Sequence, residues 1–98
     1  MHVGFTTMNT PDDVRPDVLA GELEQRGFES LWIGEHSHIP VSRRTPYPAG
    51  GEMPHHYRRM MDPFVSLAIA AHATTTLRLV TGVCLVLEHH VLDLAKTV

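Results

Sequence analysis

The chain has 98 residues, 43% of them apolar and 19% charged, with a formal net charge of −3. That is room for one domain with a modest core, and the weak acidity excludes the basic stripe of a nucleic-acid surface. One cysteine, Cys84, leaves no internal disulfide, so a reducing cytoplasmic setting is expected, and no apolar run is long enough to span a bilayer.

In chain order, His2–Thr7 predicts a strand, being rich in β-branched and aromatic residues. A turn cluster follows at Asn9-Thr10-Pro11-Asp12-Asp13. Pro16 suits a first helical position, because the N–H it lacks would be unpaired there, and Asp17 complements the positive helix end. Leu19, Ala20 and Leu23 share a face at helical spacing, Gly27 supplies a left-handed cap, and Phe28 folds back as the apolar contact beyond it. The short apolar run Ser30–Gly34 suits a strand of a parallel sheet covered on both faces.

Glu35 to Met61 shows no period and holds Pro40, Pro46, Pro48, Pro54 and Gly50-Gly51, so it reads as a long functional loop. Asp62-Pro63 starts the next helix, with Phe64, Leu67, Ala68 and Ala71 as its apolar face and Thr74-Thr75-Thr76 ending it. The third strand lies within Leu77–Leu87, with Gly82 as a bulge or a close helix–strand contact. A last helix begins at Val91, with Leu92, Leu94 and Ala95 facing inward. The order β-α-β-loop-α-β-α predicts an α/β fold of parallel strands in order 1-2-3 with the helices on one face.

Ligands in such folds bind beyond the carboxyl ends of the strands. Glu35 and His36 emerge there from the second strand, and a histidine in that place is suited to proton transfer near neutral pH. A polar strand terminus is the plainer alternative. His36 and His38 share the spacing of a metal pair, but such pairs need further ligands from later strands, so no metal site is expected. His55-His56 and His89-His90 read as solvated loop residues and His72 as a surface residue. Met53, Met60 and Met61 read as gap filling or a mobile lid.

Gly27-Phe28-Glu29-Ser30-Leu31-Trp32-Ile33-Gly34-Glu35-His36 resembles the G-[FY]-x-S-[LV]-W-x-x-[DE]-H run of the luciferase-like monooxygenase superfamily. The run Thr74 to Val83, the Asp62-Pro63 helix start and Leu94-Ala95-Lys96 resemble further elements of that family, in the same order. The chain departs from it at Glu88-His89-His90-Val91, where family members often carry a proline. The resemblance implies the first third of a (β/α)8 TIM barrel, a single partial domain over residues 1–98. A closed barrel of this kind needs about 250 residues.

It further implies an oxidoreductase using coenzyme F420, or alternatively FMN, for hydride transfer or monooxygenation of a small organic substrate. His36 would handle protons beside the cofactor ring, Glu35 would reach a polar group of the cofactor, and Thr81, Gly82 and Val83 would back the ring. The family's third strand often carries a non-prolyl cis peptide, and Gly82-Val83 is the matching position. With a sheet face left uncovered, a homo-oligomer is expected, and a non-catalytic β/α fragment that self-associates or complements a partner is the rival reading.

Overall fold

A computed structural model describes all 98 residues. Three strands, β1 (Gly4–Thr7), β2 (Ser30–Ile33) and β3 (Arg78–Thr81), form one parallel sheet in the order β1-β2-β3. Phe5, Leu31 and Leu79 lie in register across it, as do Thr6, Trp32 and Val80. The expected topology is therefore present, although β1 begins two residues later than predicted and β3 is only the first part of its apolar run. Beyond Thr81 the chain turns into a short 3-10 segment, Val86–Glu88.

Helix α1 (Pro16–Gln25) starts at the predicted proline and ends as the glycine requires. Gly27 sits at φ 75°, its N–H donates to Glu24, and the Phe28 N–H reaches back to the Leu23 carbonyl. That is the double bond of a left-handed helix end, satisfying two carbonyls that would otherwise be orphaned. Helix α2 (Pro63–His72) is capped by the Asp62 carboxylate, which accepts the Val65 N–H at 2.9 Å.

The core is Ala20 and Leu23 from α1, Leu31 and Ile33 from β2, Ala70 from α2, and Leu77, flanked by Leu19, Phe28, Leu67 and Leu79. Both helices therefore pack on the sheet face that Leu31 and Ile33 present. The inward stripe of α2 differs from the expected one. Pro63, Ser66 and Ala70 are buried, whereas Ala68 and Ala71 are exposed. Phe64, Leu67, Ala68 and Ala71 instead line an open apolar groove beside Leu79, Thr97 and Val98. The apolar positions of α2 run nearly all round the helix, so periodicity alone could not select its buried side.

Helix α3 (Val91–Thr97) overturns a second expectation, because it has no buried residue and Leu92 and Ala95 are exposed. Leu94 alone of its apolar residues is half-buried. On the other sheet face Trp32 is 42% exposed, lying over Gly4 with its indole N–H donating to Ser30 Oγ at 2.8 Å. A Cβ on Gly4 would stand 2.7 Å from Ser30 Oγ and 2.8 Å from the indole nitrogen, so this position has no room for a side chain. The accessible surface is 7137 Å² and the radius of gyration 14.8 Å. A closed monomer of this size would show about 5,600 Å² and about 12.6 Å. The exposed long loop, the uncovered sheet face, the α2 groove and α3 all contribute to the excess.

Candidate active site at the carboxyl ends of the strands

The three strands point their carboxyl ends at one cleft of about 670 Å³, lined by Thr6, Thr7 and Met8 after β1, Gly34, Glu35 and His36 after β2, and Gly82, Val83 and Leu85 after β3. Tyr57 and Met60 close it from the long loop. That loop is anchored at its far end by Asn9, whose Nδ2 donates to the Met61 carbonyl at 3.1 Å while the Met61 N–H donates to the Asn9 carbonyl at 2.8 Å. Asn9 is buried and sits at φ 55°, a left-handed conformation that asparagine tolerates better than most residues. The turn cluster was legible in the sequence; this tie across 52 residues was not.

Glu35 and His36 leave β2 together and then part. The Glu35 side chain is 3% exposed. Its Oε2 accepts the Leu85 N–H at 2.7 Å, and its Oε1 lies 2.6 Å from His89 Nε2. Burial of a carboxylate without such partners is costly, so these two donors explain how it is tolerated. A further stitch joins the same two segments, for Glu88 accepts from Ser37 Oγ and lies 3.5 Å from His38 Nδ1. The loop after β3 is thus fastened to the end of β2. His89, expected to be a solvated loop residue, is 24% exposed and packs edge-on against Phe64 at 5.8 Å. Sequence could not show that partner, because Glu35 and His89 lie 54 residues apart. His90 stays exposed.

Cys84 completes a group in which Glu35, Cys84 and His89 hold donor atoms within 4.8 Å of one another. Burial, and then the neighbouring Glu35 carboxylate, push the Cys84 thiol up. The Glu35–His89 contact, at 2.6 Å, is a hydrogen bond. Within the trio Glu35 and His89 are joined by that hydrogen bond, and the Cys84 thiol stands beside them.

His36 faces the cleft. Its ring meets Tyr57 edge-on at 5.6 Å, and its Nδ1 is buried with no hydrogen-bond partner. Gly82 and Val83 stand exposed opposite it. Gly82 lies one residue beyond β3 rather than inside it, and its N–H extends the sheet by donating to the Ile33 carbonyl at 2.7 Å. A Cβ there would meet Ile33 at 3.6 Å, an ordinary contact, so neither a bulge nor a tight helix–strand approach explains this glycine. Every peptide bond is trans, including Gly82–Val83, which corrects the cis bond that the resemblance implied. Thr81 pairs with Ile33 and turns into the α2 groove, away from the cleft. His55 and His56, exposed as expected, open a short 3-10 helix, His55–Arg58, that carries Tyr57 to the cleft.

The sequence profile described as luciferase-like monooxygenase matches residues 9–98. Curated relatives include an uncharacterized protein of Mycobacterium bovis and uncharacterized proteins of two Mycobacterium tuberculosis strains, each 37% identical over 101 residues. The match covers 100% of this chain and 36% of each relative, so the chain spans about a third of their length. No solved structure matches the chain significantly. No helix is long and apolar enough to cross a membrane.

Proposed function

The chain belongs to the luciferase-like monooxygenase family, and from that premise we propose that it supplies the first β/α units of a (β/α)8-barrel oxidoreductase. The cofactor proposed is coenzyme F420, with FMN as the alternative, and the substrate a small organic molecule. The observation that carries this reading is the buried, partnerless Nδ1 of His36 on a cleft that all three strand ends face. Buried polar groups otherwise find a hydrogen bond, so an unsatisfied imidazole nitrogen on a residue of the cleft wall marks His36 as the group to test. The exposed Gly82–Val83 backbone across the cleft offers a flat face free of a Cβ at its first residue.

The residues present fit a planar ring cofactor. Gly82 and Val83 would lie against it, with Thr81 fixing the strand that leads to them. His36 would hold or pass a proton near the ring's reactive edge. Glu35 would serve the cofactor from the cleft floor, where it holds Leu85 in place. The bound cofactor supplies the hydride acceptor or oxygen-activating chemistry; the protein positions, excludes water and moves protons. Tyr57 and Met60 would close the cleft from the loop.

The test is binding. Joined to the complementary residues of a Mycobacterium tuberculosis relative, the chain should quench F420 or FMN fluorescence at one equivalent. The 98-residue chain alone should bind weakly or not at all, because the phosphate-binding loops of such barrels come from late strands. Stoichiometric, tight binding by the short chain would show the site misplaced, and no binding by the joined protein would end the reading.

A second reading has its own observation, the excess surface over a closed monomer. In it the chain self-associates or complements a partner through the uncovered sheet face and α2 groove. Burial of apolar area is worth about 25 cal/mol per Å². A dimer or larger homo-oligomer is expected from light scattering; a monomer at high concentration would rule it out.

A further inference from the structure

Charge is unevenly divided along this chain. Residues 36–60 carry Arg43, Arg44, Arg58 and Arg59 against the single acid Glu52, a net +3, so the rest of the chain carries −6 of the total −3. The seven arginines also fall into two groups. Arg15, Arg26, Arg59 and Arg78 each have a carboxylate partner, in Asp17, Glu22, Asp12 and Glu29. Arg43, Arg44 and Arg58 have none. Arg43 makes only long contacts to neutral acceptors, 3.3 Å to Met53 Sδ and 3.4 Å to the Thr45 carbonyl.

The three unpaired arginines line two adjoining cavities that share Arg43 and His36. Arg43 and Arg58 line a cavity of about 440 Å³ inside the long loop, together with His36, Ser37, His38 and Tyr57. Arg43 and Arg44 line an adjoining one of about 300 Å³, again with His36. No carboxylate lines either cavity. Glu88, at the mouth of the strand-end cleft, is held by Ser37 and His38. His36 stands in the wall of these cavities and of the strand-end cleft alike.

We propose that the larger loop cavity binds an oxyanion, a carboxylate or phosphate on a small organic molecule, through Arg43 and Arg58, with Arg44 adding positive charge from the adjoining cavity. Guanidinium groups present planar, permanently charged forks of donors that match such groups two bonds at a time. With no carboxylate paired to them or lining the cavities, their charge is available to a ligand, and a concave cationic site raises the local concentration of anions. That the oxyanion is the substrate's handle, setting its reactive end against His36, rests on the function proposed above; the binding site itself does not.

The experiment is a titration of the 98-residue chain with inorganic phosphate and with succinate at constant ionic strength, followed by NMR at His36, Tyr57 and the loop amides. Saturable shifts confined to these residues are expected with at least one probe, and the tighter probe identifies the oxyanion. R43A/R58A should weaken binding at least about tenfold, a loss of the size that charge-assisted hydrogen bonds carry. R26A removes a paired arginine of α1 and should leave binding unchanged, which separates a local site from overall charge. Failure of both probes to saturate would overturn the proposal, as would equal binding by R43A/R58A or an equal loss in R26A. FMN displacing the bound probe where riboflavin does not would reassign the site to a cofactor phosphate and overturn the substrate role.

Discussion

The two ends of the sheet differ in how completely their polar groups are used. At the amino end, Glu24 Oε1 accepts the N–H groups of Thr75, Thr76 and Leu77 and the Thr76 hydroxyl, tying the end of α1 to the start of β3. Glu29 meets Arg78 at 3.2 Å and His2 at 3.4 Å. At the carboxyl end, His36 Nδ1 has no partner and three arginines have no carboxylate. The contrast separates the end where this chain ties itself together from the end on which the proposed function rests. Satisfied groups stabilise the scaffold; an unsatisfied buried group needs another explanation, and a ligand is the one proposed.

The largest effect should come from the carboxyl end. In the barrel-length protein, His36→Ala should slow turnover by about 10²–10⁴-fold, the usual worth of a positioned acid or base. Cofactor affinity and thermal stability should change far less. Full activity in that variant would erase the functional side of the contrast. Next comes the scaffold. Leu31 is fully buried in the core, and Leu31→Ala should cost about 2–5 kcal/mol in urea unfolding, through lost transfer energy and the cavity left behind. A cost below 1 kcal/mol, the range of surface substitutions, would mean that the core is not where the structure places it.

Glu24 sharpens the comparison through pH. The backbone N–H groups of Thr76 and Thr75, then the Thr76 hydroxyl and Leu77 N–H, lower its pKa from 4.5 to about 2. A carboxylate depressed by folding adds stability that is fully present above its unfolded pKa and is lost as pH falls through the folded one. Glu24→Gln should therefore lower Tm clearly at pH 7, and the gap to wild type should narrow between pH 4.5 and pH 2. A constant gap across that window would mean that the charge on Glu24 contributes nothing.

Much of the scaffold was legible because its signals are local. Pro16, Gly27, Asp62 and Pro63 each solve a backbone problem at their own position, and each does so where expected. The parallel order follows from alternation alone. What was not legible is long-range or depends on absent neighbours. Glu35–His89 and Asn9–Met61 join residues more than fifty positions apart, and no periodicity records them. The inward side of α2 and the fate of α3 depend on which surfaces lie against them. Within the site, the motif located His36, Gly82 and Val83 on one cleft, yet it gave no hint that Glu35 would spend both oxygens on the loop after β3.

The smallest effect on stability, and the sharpest on chemistry, should come from Glu35→Gln. A carboxylate can only accept, so the 2.6 Å contact requires His89 to carry its proton on Nε2. In the amide, the Leu85 N–H still demands an oxygen, because a backbone donor cannot change its role. The carbonyl therefore stays on Leu85 and the NH2 group turns to His89, which must then accept at Nε2 and move its proton to Nδ1. Stability should fall by about 0.5–1.5 kcal/mol, the net worth of one hydrogen bond, while the ring nitrogen shifts of His89 reverse. Glu35→Ala leaves the Leu85 N–H and the imidazole without a partner and should cost more, about 1–3 kcal/mol. If His89 keeps its Nε2 proton in Glu35→Gln, the carboxylate does not govern it, and the loop after β3 is held in place by its other ties alone.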